Sequence, residues 1–234
     1  MTVPMSAAEI AEMITAGNEA PAEEMVHAQT ISFFPQHWMD RWPEQLESSS
    51  VPILSPDGLD GTGRRTVSRS DLFALGREVE TPVDALNFFV AVHSWGVGTS
   101  ARGVIRGLRV LEDEDASKKI LGALESLRES DFDPRAGYSA FNNYDQSKVK
   151  HLGPAFFTKL LYFYSHDRLS RSTNAPLILD QYVAASLGWG SWGWTTSQYV
   201  DYISLVDEAR SLLDSDVPGD VVEYVLFDHG RRKA

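Results

Sequence analysis

The sequence predicts an all-α fold. Helix-start signals recur ahead of apolar residues spaced by three and four. Prolines stand where helices begin. The strict apolar–polar alternation of half-buried strands is scarce. Ser6 with Glu9 makes a capping box before Ile10–Ile14. Thr81 and Pro82 place a cap and a first-turn proline ahead of Val83–Val92. Asp115 or Ser117 opens the next helix, where Ile120, Leu121, Leu124 and Leu127 share a face. Ser197–Leu213 and Val217–His229 read as two closing helices, with Pro218 at a starting position. Only Ser50–Leu54 reads as a short strand. It lies within a run rich in Ser, Pro, Gly and Asp, 48–69, that reads as a long connection.

At 234 residues the chain can bury a core without covalent help, and it reads as one domain, 1–234, led by an acidic helical segment, 1–60. There is no cysteine, which excludes a thiol nucleophile, a disulfide framework and cysteine-bound zinc or iron–sulfur centres. The six histidines, at 27, 37, 93, 151, 166 and 229, show no close ligand spacing, so neither metal nor cofactor is expected. The first residues lack a basic and an apolar stretch of signal-peptide type. The longest apolar run, around Ala85–Val92, is too short to span a bilayer. The expectation is a cytoplasmic monomer with no membrane partner. A net charge of −12 argues against a nucleic-acid partner, but its distribution weakens the objection. Residues 1–60 hold ten acids and one base, whereas the remainder is only −3, leaving room for a locally basic surface.

The chemistry concentrates between Lys148 and Asp180. A helix end, a tight turn at Leu152-Gly153-Pro154 and a second helix from about Ala155 to Tyr164 are expected. From Phe156 to Tyr164 every residue is apolar or aromatic except Thr158 and Lys159. Burial disfavours an ammonium charge, and a neutral lysine amine is a nucleophile able to form a Schiff base. The alternative is a lysine whose stem lies along apolar surface and whose charge ends in water.

The run Gly153-Pro154-Ala155-Phe156-Phe157-Thr158-Lys159 resembles the hairpin of the helix-hairpin-helix DNA glycosylases, here spanning 145–165, with Lys159 in register with the family's catalytic lysine. Pro176–Asp180 resembles the family's helix-opening aspartate, 21 residues after the lysine. The pattern is most similar to the 8-oxoguanine glycosylase branches without an iron–sulfur cluster. The resemblance implies a two-lobed helical fold with the active site between the lobes. It also implies a double-stranded DNA substrate carrying a modified base, Lys159 and Asp180 as catalytic residues, and excision leaving an abasic site, with or without strand nicking. Oxidised purine is the first substrate it implies. A hypermodified, for example glucosylated, cytosine in phage DNA is a second, which would make the protein an antiviral defence. A non-catalytic DNA-binding hairpin and a helical interaction domain are the competing classes. The family's two hairpin glycines are Ala155 and Phe157 here, which puts the close phosphate approach in question. Asp180 also reads as an ordinary N-cap of the stretch Gln181–Leu187.

Further candidates are pocket aromatics and backbone contacts. Phe163 lies one turn beyond Lys159 and by pattern reads as core, while the resemblance to the family's archaeal branch implies an aromatic pocket wall at this position. Trp192, in the glycine-spaced loop Gly188–Trp194, reads as a pocket wall, a duplex wedge or loop packing. Tyr224 and Phe227 share a face of the last helix, with Asp220 and Glu223 nearby, and the resemblance, through the polar–aromatic pair the family carries on its final helix, makes them candidates for base recognition. His151, Gly153 and Ala155 are candidate DNA-backbone contacts at the hairpin. Trp95-Gly96-Val97-Gly98-Thr99 precedes a helix whose Arg102, Arg106 and Arg109 share a face, suited to phosphates or to solvent.

Overall fold

The computed structural model describes residues 5–16, 20–142, 148–169, 172–213 and 216–233. The order of helices and strands among them is α1 (Ala7–Thr15), α2 (Glu23–His27), β1 (Thr30–Phe33), α3 (Gln36–Met39), β2 (Arg65–Ser68), α4 (Arg69–Arg77), α5 (Pro82–Val97), α6 (Ala101–Val110), α7 (Ala116–Glu129), α8 (Pro134–Asn142), α9 (Pro154–Leu169), α10 (Gln181–Ser186), α11 (Thr196–Ser211) and α12 (Gly219–Lys233).

The caps read from the sequence form. Ser6 and Glu9, and Thr81 and Asp84, make reciprocal capping boxes at the starts of α1 and α5. Ala85–Trp95 is buried at every residue but Asn87, and Phe157–His166 is buried throughout, so these stretches of α5 and α9 are enclosed on nearly all sides and form the centre. Helices α4, α7 and α8 pack against them. A second group forms where α10, α11 and α1 pack on α12. The Lys159 helix belongs to the first group and the Asp180 helix to the second. Two close approaches fix these helices. A Cβ on Gly76 of α4 would meet the Phe163 carbonyl of α9, and one on Gly230 of α12 would collide with the Tyr182 carbonyl of α10.

The structure corrects three expectations. Pro52–Leu54 is a turn of 3₁₀ helix, not a strand, with Leu54 N–H donating to Val51 C=O and Ser55 N–H to Pro52 C=O. Proline has no N–H for a sheet ladder, so this end of the segment turns instead. The strands are Thr30–Phe33 and Arg65–Ser68, an antiparallel ribbon pairing Thr30 with Ser68 and Phe33 with Arg65. The acidic segment therefore is not purely helical, and the connection 48–69 ends in β2. The hairpin turn also falls earlier than Leu152–Pro154. Leu152 N–H donates to Val149 C=O, His151 takes a left-handed φ of 64°, and α9 begins at Pro154. That helix runs on to Leu169, beyond the expected Tyr164. The expected helix end before the turn falls partly on 143–147, outside the described residues.

Candidate active site

The stretch Leu177–Leu179 enters the site extended and buried, so its backbone polar groups need partners from side chains. Tyr199 of α11 supplies both for Leu177, its hydroxyl accepting from the N–H at 3.1 Å and donating to the C=O at 2.9 Å. Tyr202 donates to the Ile178 carbonyl at 3.1 Å. Thr158 of α9 accepts from Leu179 N–H at 3.1 Å while donating to the Pro154 carbonyl at 2.7 Å. The Thr158 hydroxyl thereby ties the lysine helix to the backbone just before Asp180. Sequence reasoning noted Thr158 only as polar; its place beside Lys159 was the available signal.

Asp180 then divides its carboxylate. Oδ1 accepts from Tyr182 N–H at 3.0 Å and Val183 N–H at 3.2 Å, capping α10. Oδ2 lies 3.2 Å from Lys159 Nζ. The cap and the lysine partner are the same residue, one oxygen for each. Lys159 is only 6% exposed, and its Nζ also donates to the Ala155 carbonyl at 2.8 Å and stands 5.7 Å from the Phe156 ring centroid. The charge does not end in water, which removes the snorkelling alternative. The contact sets an amine and a carboxylate together in a position almost closed to water.

Gly96 of α5 sets how closely the lysine stem packs. A Cβ there would stand 3.0 Å from the Phe156 ring and 3.5 and 3.6 Å from Lys159 Cδ and Cε, yet Gly96 itself is exposed. The missing side chain lets the Phe156 ring and the lysine stem pack directly against α5. The sequence showed this glycine only as part of a Gly-Val-Gly run, 63 positions from the lysine it serves. Phe156 is in turn stacked on His93 at 4.3 Å and 21°. Burial pushes the His93 imidazole down to about 4, with Lys159 and Arg106 acting in the same direction against a Gly103 carbonyl bond. His93 is therefore neutral, with Nε2–H donating to Gly103 C=O at 2.9 Å.

The remaining candidates separate. Phe163 is core in this structure: it is 1% exposed and packs edge-on against Trp95 at 5.3 Å and tilted against Phe73 at 5.7 Å. Trp192 is 84% exposed, while Trp194 anchors its loop by donating Nε1–H to the Gly190 carbonyl at 2.8 Å. Tyr224 lines a cleft of about 420 Å³ with Met13, Ile14 and His229, whereas Phe227 meets Tyr182 of α10 edge-on at 5.4 Å. The pair on the last helix thus faces two neighbours, not one pocket. Asp220 and Glu223 are buried, and Glu223 pairs with buried Arg69 at 2.8 Å. His151 and Gly153 are exposed at the hairpin; Ala155 is half-buried and its carbonyl is taken by Lys159. Phe157 fills the position of the second family glycine with core, stacking on Phe141 of α8 at 5.3 Å and 6°. Arg102, Arg106 and Arg109 lie together on the exposed face of α6, whose start Ser100 caps by accepting from Gly103 N–H at 3.1 Å.

Among the described residues, no helix is long and apolar enough to cross a membrane. Comparison with curated proteins and with solved structures returns no match. The family model described as "Putative 8-oxoguanine DNA glycosylase OGG-like protein" matches residues 24–227, from α2 to the third turn of α12 and across every element of the Lys159–Asp180 site. On that coverage, the chain belongs to the OGG-like family of DNA glycosylases.

Proposed function

We propose that this chain excises an oxidised purine, with 8-oxoguanine as the first candidate, from duplex DNA by attack of the Lys159 amine on the sugar C1′. The observation that carries the reading is the buried Lys159–Asp180 contact of 3.2 Å, built from a helix second turn and a helix N-cap. The target nucleotide leaves the stack at a cost of a few kcal/mol. Asp180 takes a proton from the ammonium, and the freed Nζ pair forms a bond to C1′ as the C1′–N9 bond breaks. The glycosidic electron pair leaves with the base, which takes the proton that Asp180 had accepted. Opening of the sugar ring then gives the Schiff base, and loss of a C2′ proton with departure of the 3′ phosphate nicks the strand. If water in place of the amine reaches C1′, the product is an intact abasic site.

The whole chain acts as one domain and as a monomer, with the turn at 148–153 and the arginine face of α6 against phosphates. Trp192, exposed on a loop whose Gly188 and Gly193 take φ of 73° and 80°, is suited to wedge into the duplex.

Borohydride trapping on duplexes carrying 8-oxoguanine tests the chemistry. A covalent adduct with wild type and none with Lys159→Gln is expected; excision by Lys159→Gln at the wild-type rate refutes the nucleophile. The exposed glycine-spaced tryptophan loop favours one second reading, a bulky glucosylated cytosine as the excised base. Release from phage DNA carrying that base, with none from 8-oxoguanine duplexes, selects it and leaves the Lys159 chemistry intact.

A further inference from the structure

Lys159 is not the only polar group buried along α9. Seven residues on, about 10 Å along the helix axis, His166 meets His27 of α2 and Asp220 of α12. Their nearest ligand atoms all lie within 4.8 Å of one another. In sequence these residues are 54 and 193 positions apart from Asp220, so no spacing motif reveals them.

The hydrogen bonding at Asp220 is lopsided. His27 Nε2 lies 2.8 Å and His166 Nε2 3.1 Å from the same oxygen, Oδ2, and Tyr162 O–H donates to it at 2.9 Å. Oδ1 of this residue, 2% exposed, is buried with no hydrogen-bond partner among the described residues. A core carboxylate held only by hydrogen bonds would share its donors between both oxygens, each of which has two lone pairs.

We propose that His27, His166 and Asp220 form a binding site for a divalent metal ion of the zinc class. An ion among the three turns both imidazoles from donors into ligands through their Nε2 lone pairs, and leaves the Tyr162 O–H as the one donor to the carboxylate. Tetrahedral bonds of about 2.0–2.2 Å to nitrogen and oxygen separate ligand atoms by roughly 3.3–3.5 Å. The present 2.8 and 3.1 Å need to open by about half an ångström. The rings are already oriented for it. His166 stacks on Phe73 at 3.7 Å and 8°, and His27 sets its edge to Phe73 at 5.1 Å and to His166 at 4.7 Å. His166 Nδ1 lies 3.5 Å from Asp167 Oδ1, the outer carboxylate that metal-bound imidazoles commonly carry. Two imidazoles and one carboxylate select zinc, cobalt or nickel over calcium or magnesium. The side chain of His27 is 18% exposed, so water completes the coordination from that side, where Glu23 adds a carboxylate 4.0 Å from His27 Nε2. The ion joins α2 and α12 to the helix that carries the nucleophile, and its role is structural.

The test uses the full chain, chelated, dialysed and then titrated with zinc chloride or cobalt chloride. Expected are uptake of about one zinc per chain, a melting temperature several degrees higher with zinc, and the visible absorption of tetrahedral cobalt. His27→Gln, at the partly exposed rim, should fold and weaken zinc binding by about 100-fold or more. Wild-type protein showing neither a melting shift with zinc nor the cobalt spectrum overturns the site. So does zinc uptake unchanged in His27→Gln, which would place the ion elsewhere.

Discussion

A double-mutant cycle on Lys159 and Asp180 separates the pair's chemistry from its contribution to folding. Lys159→Met removes the charge at similar length, and Asp180→Asn keeps an oxygen to cap α10 while removing the negative charge. At the observed 3.2 Å the direct attraction is about 5 kcal/mol with an effective dielectric of 20. Desolvation of both groups offsets part of it, so a coupling of about 2–3 kcal/mol is expected. Asp180→Asn alone should cost about as much, because it leaves an ammonium in a 6%-exposed position without its carboxylate. Lys159→Met should cost less, since Asp180 keeps two backbone donors. The double variant should recover most of the loss. Urea unfolding of the four proteins gives the cycle, and excision rates on the same samples give the catalytic effect. Single losses that add within about 0.5 kcal/mol would refute the coupling. An Asp180→Asn enzyme slowed only a few-fold would make the aspartate a cap alone.

Four other outcomes follow from the geometry. Thr158→Val should lower stability by about 1–3 kcal/mol in urea unfolding, because it strands the buried Leu179 N–H, and should slow excision; unchanged stability would show that Thr158 does not hold the Asp180 segment. His93 has its folded value lowered to about 4 from an ordinary 6.5, so the unfolded chain binds the extra proton and stability falls as pH drops between those values. Between pH 7 and 5 this amounts to about 2 kcal/mol, measurable as a urea midpoint shift that His93→Gln should abolish. Gly96→Leu should push Phe156 and the lysine stem from their places and slow borohydride trapping while the protein still melts cooperatively, and an unchanged rate would mean that this contact does not position Lys159. Replacing both Arg102 and Arg106 by Gln should weaken DNA binding and reduce its log–log salt slope by about 2, since each phosphate neutralised by an arginine accounts for close to one unit; an unchanged slope assigns both to solvent.

What was legible in the sequence is what local chemistry decides. Ser6 with Glu9 and Thr81 with Asp84 cap helices through groups three residues apart, and Pro82 marks the start of the helix that holds the longest apolar run. The ribbon of Thr30–Phe33 and Arg65–Ser68 was not legible, because four-residue strands more than thirty positions apart form only when the fold brings them together. Its consequence reaches the core: Arg69, directly after β2, turns inward to Glu223, Tyr162 and Gln29. A charged residue in a run of Gly, Asp and Arg reads as solvated until its distant partners are placed.

The same division runs through the site. Lys159 stood out as one charge in an apolar helix, and Asp180 through the resemblance of its segment to the glycosylase pattern. Gly96 and Thr158 did not, because their work lies in what they touch across the fold. A glycine is informative only once the stem of Lys159 is beside it, and a threonine in a helix only once Leu179 is without another acceptor. Asp180 shows how local and distant roles combine. The sequence offers a cap and a catalytic partner as compatible roles for one carboxylate, and the two oxygens divide them. Oδ1 is fixed by the first-turn amides of α10, which aims Oδ2 at Lys159 without any further residue to orient it. The capping geometry is therefore the means by which the partner is placed, and a substitution that keeps the cap while removing the charge, as Asp180→Asn does, is the one that distinguishes the two roles.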